Sequence, residues 1–211
     1  MENSHLYSTI SASTYKRNKK DRQKYLKMQG INNYSIDNEL SNKYHSVYIN
    51  NDNNNVVFGI RGTDVKDFGD LITDSALLFD LQAVTPRFRK AQNHLKKVQE
   101  KYKDKNITLT GHSLGGSISE QLAKTNNLKA HVFNKGSSPF GLNQRYLESL
   151  ISNKGKDNVT SYITVGDSIS NSSIFDPSTN NVIISPNDDL KNKSNPFYYH
   201  NIRHFHNTRI Q

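Results

Sequence analysis

Apolar positions recur along the chain in short blocks, and their spacing switches between the periods of strand and helix. Residues 1–30 read as helical and basic, with Tyr7, Ile10, Tyr25, Leu26 and Met28 able to reach a core. Residues 46–50 and 56–60 read as two strands. The run Asn51-Asp52-Asn53-Asn54-Asn55 between them is made of turn formers, so a hairpin is expected. Over 87–102, Phe88, Ala91, Leu95, Val98 and Tyr102 recur at alternating steps of three and four, with Lys and Gln between them. That is the apolar stripe of an amphipathic helix. Residues 107–110 form a short buried strand, and a helix carrying Ile118, Leu122 and Ala123 follows. Residues 130–133 and 159–165 are further strands, and 142–151 a further helix. From about Asp176 onward the chain reads as loop and ends in a histidine-rich tail. Strands separated by helices of this length predict βαβ units. The expected class is α/β, with a mainly parallel central sheet flanked by helices.

Composition narrows this picture. A length of 211 residues fits one domain, 1–211, with the basic helical segment at its N-terminus. Only 33% of residues are hydrophobic and the mean hydropathy is −0.79. Asn and Lys supply the polarity, while runs such as Val56-Val57-Phe58 and Ile107-Thr108-Leu109 survive; the reading is a folded domain with a very polar surface. There is no cysteine, which excludes disulfides and thiolate metal sites. Residues 1–10 lack the apolar core of a signal peptide, and no stretch approaches the roughly 18 apolar residues of a membrane span. An intracellular, cytoplasmic protein is expected. The net charge of +9 favours an anionic partner. Lys16, Arg17, Lys19, Lys20, Arg22, Lys24 and Lys27 form either a solvated helix face or a peripheral contact with an anionic membrane, at about 1 kcal/mol per basic residue. Nucleic acid fits poorly, because a series of aromatic residues interleaved for base stacking is not evident there.

The strongest chemical signal is Gly111-His112-Ser113-Leu114-Gly115. In Gly-x-Ser-x-Gly the serine sits on a strained strand-to-helix turn that projects its hydroxyl from the carboxyl edge of an α/β-hydrolase sheet. The flanking glycines let strand and helix approach closely. The N–H of the next residue, Leu114, is then an oxyanion donor, helped by the helix N-terminus. A β-rich run precedes this Ser and an amphipathic helix follows it, so Ser113 is the expected nucleophile.

A serine hydroxyl needs a base, and this fold orders its triad Ser, then Asp or Glu, then His. Asp167 follows the strand-like run Tyr162-Ile163-Thr164-Val165, which would bring its carboxylate to the sheet edge where Ser113 is expected. An Asx-type turn cap is the alternative for that residue, and Asp176, Asp188 and Asp189 are rivals in more polar sequence. After Asp167 the only histidines are His200, His204 and His206. Their crowding also fits imidazole metal ligands, but no acidic or thiolate partner has matching spacing, and no metal is expected. His112 is a packing or capping residue whose side chain should point away from Ser113.

These residues resemble the class 3 lipase family, which includes the fungal triacylglycerol lipases. Four segments carry the resemblance: the strand entering Arg61-Gly62-Thr63, then Asp67-Phe68-Gly69-Asp70-Leu71-Ile72-Thr73-Asp74, then Leu109-Thr110-Gly111-His112-Ser113-Leu114-Gly115-Gly116, and Val165-Gly166-Asp167-Ser168-Ile169. The resemblance implies that Thr63 gives the second oxyanion N–H and that Asp167 is the triad acid. It points to His200 as base, with His204 and His206 as the remaining candidates. It implies a serine esterase or lipase that hydrolyses acyl-lipid esters, triacylglycerol or phospholipid, through an acyl-enzyme and without a cofactor. Two departures stand out. Thr85-Pro86-Arg87-Phe88 replaces the family's His-x-Gly-Phe, and Ala76-Leu77-Leu78-Phe79-Asp80-Leu81, where a lid often lies, is either an interfacial flap or a buried segment. A thioesterase or amidase would use the same triad. A non-catalytic membrane- or nucleic-acid-binding protein could retain the same fold.

Overall fold

The computed structural model describes residues 4–63, 86–136, 158–167, 169–170, 174–186 and 198–206. These form a seven-stranded sheet whose spatial order follows the sequence: β1 (Tyr34–Ile36), β2 (His45–Asn50), β3 (Asn55–Ile60), β4 (Asn106–His112), β5 (Lys129–Phe133), β6 (Val159–Thr164) and β7 (Asn180–Ile184). The first three strands are antiparallel, and β3 through β7 run parallel. The expected hairpin is present: Ile49 pairs with Val56 beside the Asn-rich turn, and His45 with Ile60 at the far end. Ile60 also pairs with Gly111 of β4. The start of β2 and the ends of β3 and β4 therefore share one sheet edge.

Alternation along the strands feeds two cores. Val56, Phe58 and Ile60 face one side, where they meet α3 (Pro86–Lys101) through Phe88, Ala91, Leu95 and Val98, and α4 (Leu114–Asn126) through Ile118, Leu122 and Ala123. Val57 faces the other side with Tyr7 and Ile10 of α1 (Ser4–Ser13), Leu26 of α2 (Lys19–Met28), Phe133, Tyr162 and Phe205. Helices on both faces of a mainly parallel sheet give the expected α/β layering. No described helix is long and apolar enough to cross a membrane.

Several expectations need correction. The segment 1–30 holds two helices; Asn18 breaks it by capping α2, its side chain accepting the Asp21 N–H at 2.8 Å. Met28 does not reach the core but is 70% exposed, because the inward stripe of α2 runs through Arg22 and Leu26 instead. Arg22, expected in a solvated basic run, is buried. Its guanidinium donates to the carbonyls of Lys16, Asn42, Lys43 and His45, which replace its water. The stretch after Asp176 is not all loop: β7 extends the sheet in parallel with β6. Its Asn-rich start and half-exposed face hide the strand pattern. The 142–151 helix and the 76–81 flap lie outside the described residues.

Candidate active site

Strand β4 ends directly in Ser113, whose backbone sits at φ 57°, ψ −130°, a conformation L-residues rarely hold. The turn is locked on both sides. The Ser113 N–H donates to the Phe133 carbonyl at 3.1 Å, and Ser117 N–H donates to the Ser113 carbonyl at 3.1 Å as α4 begins. A Cβ on Gly115 would collide with the Ile60 carbonyl, so only glycine lets α4 lie against the loop that leaves β3. That loop is Arg61, Gly62 and Thr63. A Cβ on Gly62 would stand 3.4 Å from the Ser113 Cβ. Leu114 is the first residue of α4, so its N–H has no intrahelical acceptor. The two expected oxyanion donors, Thr63 and Leu114, thus belong to segments packed against the nucleophile turn.

Asp167 follows β6 just past Gly166, which takes φ 88° with the Tyr199 ring over it. Its Oδ2 accepts from His200 Nδ1 at 2.8 Å, and both side chains are buried. The Ser170 hydroxyl donates to the same oxygen at 2.5 Å, and the Ile169 N–H to Oδ1 at 3.1 Å. Burial pushes the Asp167 carboxyl up. The charge of His200, with the hydrogen bonds from His200, Ser170 and Ile169, outweighs it and holds the group below the ordinary carboxylate value. A carboxylate can only accept, so Nδ1 carries a proton and donates it to Asp167. Ser113 Oγ and His200 Nε2 are both buried and do not hydrogen-bond each other in this conformation. Catalytic contacts of this kind commonly close only with substrate.

The other two tail histidines point elsewhere. His204 Nε2 meets the Tyr198 carbonyl at 2.7 Å, and His206 Nε2 meets the Tyr25 hydroxyl at 2.9 Å. The histidines are thus not gathered into one ligand set. Asp176 instead joins a buried ion cluster: Lys135 Nζ lies 2.7 Å from Asp176 and 2.7 Å from Glu120 behind α4. Asp188 and Asp189 lie outside the described residues. The His112 ring stands between the Tyr15 hydroxyl and the His200 carbonyl, with its centre 4.7 Å from that of the His200 ring.

Sequence reasoning missed Ser170 and Asn134. Asn134, at φ 40° after β5, donates to the Tyr199 carbonyl at 2.9 Å and accepts the Thr164 N–H at 2.8 Å, so one side chain joins the ends of β5 and β6 to the His200 segment. Its position at a strand end was the only available signal.

Residues 5–181 match the model of a phospholipase-like family described as the Tle-like phospholipase domain. In three dimensions the chain is similar to Lip2 lipase from Yarrowia lipolytica, with a TM-score of 0.55 and 18% identity over 85% of this chain and 77% of that one. It is also similar to a mutant form of MDLA from Penicillium cyclopium, with a TM-score of 0.54 and 13% identity over 90% and 82% of the two chains. At such identities the likeness speaks for the fold, which is of the α/β-hydrolase type. No curated protein matches the chain in sequence.

Proposed function

Because the chain belongs to the Tle-like phospholipase domain family, a class 3 lipase-like group of lipid ester hydrolases, we propose that it cleaves a carboxylic ester of an acyl lipid through a Ser113–His200–Asp167 triad. Phospholipid is the first substrate and triacylglycerol the second. The observation that carries this reading is the buried 2.8 Å contact of His200 Nδ1 with Asp167, in a segment whose His200 carbonyl is met by His112, the residue before the strained Ser113.

His200 Nε2 takes the Ser113 proton as Oγ attacks the ester carbonyl. Asp167 stabilises the imidazolium and fixes its tautomer. The N–H groups of Thr63 and Leu114 hold the oxyanion, each worth about 3–4 kcal/mol. Collapse breaks the C–O bond, and the departing alkoxide takes the proton from His200. Water, deprotonated by the same Nε2, then attacks the acyl-enzyme; the fatty acid leaves, Oγ regains its proton, and the free enzyme is restored. Neither bond-breaking step calls for a cofactor.

The basic surface supports a second element, peripheral contact with an anionic membrane. Arg17, Lys19, Lys20 and Lys43 line a groove of about 620 Å³. Tyr15, two residues before Arg17 in the chain, reaches His112 with its hydroxyl. A panel of phospholipid, triacylglycerol, thioester and amide substrates tests the chemistry. Fastest turnover of the phospholipid ester is expected, and turnover of thioester or amide alone would overturn the reading. Activity on anionic vesicles should fall as salt rises from about 0.05 to 0.5 M. A salt-independent rate would remove the membrane contact.

A further inference from the structure

We propose that His112 is a positioning residue for the base, holding the backbone of His200 by a hydrogen bond from the residue next to the nucleophile. This rests on the triad reading above and adds a component to it.

The geometry is closed on both sides of the ring. His112 Nε2 lies 2.7 Å from the His200 carbonyl, and Nδ1 lies 3.0 Å from the Tyr15 hydroxyl. A carbonyl can only accept, so Nε2 carries the proton. Burial and then the His200 charge push the His112 ring down to about 3, so it is neutral at neutral pH, and Nδ1 must accept from Tyr15. The Tyr15 hydroxyl therefore fixes the tautomer that the His200 carbonyl requires. Arg61, with its guanidinium 5.5 Å from the Tyr15 ring, adds positive charge on the same side.

The arrangement does more than fill space. His112 is the last residue of β4 and directly precedes Ser113, so its side chain ties the nucleophile strand to the base. The His200 segment is otherwise short of regular structure: it enters a four-residue 3-10 turn, Ile202–Phe205. Two successive carbonyls of that segment are held from strand ends, that of Tyr199 by Asn134 at 2.9 Å and that of His200 by His112. The rings of His112 and His200 also lie 4.7 Å apart, so displacement of one moves the other. A neutral ring at that distance leaves the imidazolium of His200 unopposed during turnover, whereas a charged one would repel it.

The test is steady-state hydrolysis of a soluble short-chain ester by the full chain, with Tm measured for each variant. His112→Leu keeps bulk but removes the donor; kcat should fall about 30- to 100-fold, the scale of a misplacement of about 1 Å, with KM within about twofold. His112→Gln returns an N–H donor near the Nε2 position and should recover kcat to within about fivefold of wild type. Tyr15→Phe removes only the tautomer-fixing hydroxyl and should lower kcat about fivefold, the scale of one hydrogen bond. Wild-type kcat in His112→Leu at unchanged Tm would overturn the inference, as would a His112→Gln variant as slow as His112→Leu. If His112→Leu does not fold, Tyr15→Phe decides, and an unchanged kcat there overturns it. His200→Ala separates the two levels. Activity surviving in His200→Ala sinks the triad reading, whereas its loss alongside a fully active His112→Leu sinks only the role of His112.

Discussion

Replacing Asp167 by Asn removes one negative charge and almost no volume, so it isolates what the carboxylate does for His200. The Nδ1–Oδ2 distance is 2.8 Å, and the two residues are 2% and 3% exposed, so solvent screens the pair weakly. The charges spread over a ring and a carboxyl group. Taking their centres about 4 Å apart at an effective dielectric of about 20 gives about 4 kcal/mol, or about 10³ in rate when imidazolium forms in the transition state. Asn can also present its amide N–H to Nδ1, which favours the tautomer with the proton on Nε2 and disables the base. In serine proteases that loss brings the total to about 10⁴. The expected result for Asp167→Asn is therefore a fall in kcat of about 10³–10⁴ on a soluble ester, with little change in KM. A kcat within tenfold of wild type, in a variant with unchanged Tm, would refute the assignment of Asp167 as the orienting acid.

Other consequences follow from burial. Lys135→Met removes the ammonium that lies 2.7 Å from both Glu120 and Asp176, leaving Lys124 as the remaining cation of the cluster. Chemical denaturation should show a loss of about 3–5 kcal/mol, and a loss below about 1 kcal/mol would mean the cluster is dispensable. His45 and His112 are pushed down to about 3 and His206 to about 4, in each case by burial first. Their folded values lie below the ordinary 6.5, so unfolding takes up protons below that pH. The stabilisation is whole above about pH 6.5 and is lost as pH falls toward 4 and then 3, at up to about 1.4 kcal/mol per pH unit for each ring. Urea unfolding at pH 7 and pH 5 should show the lower stability at pH 5, and equal midpoints would contradict it.

The parts of the molecule legible in the sequence are those coded by neighbours in the chain. Asn51 to Asn55 announces the hairpin, the stripe from Phe88 to Val98 announces α3, and the two glycines around Ser113 announce the nucleophile turn. What escaped is held by distant partners. Arg22 looks like one more surface cation until carbonyls from residues 16 and 42–45 converge on it. Lys135 carries no local mark of burial, because its counter-charges come from Glu120 and Asp176, 15 and 41 residues away. β7 is hidden by asparagines that pair only because β6 leaves an edge to complete. The choice among His200, His204 and His206 had the same character. Spacing left it open, and only the fold brings one of the three rings to Asp167.

The central claim is that Ser113 is a nucleophile activated by its surroundings. A fluorophosphonate probe, which reacts with an activated serine and not with an ordinary hydroxyl, tests it directly. Wild-type protein should be labelled stoichiometrically, with the adduct mapped to Ser113, and Ser113→Ala should remain unlabelled. Folded wild-type protein that takes up no probe, or labelling that persists in Ser113→Ala, would contradict the account.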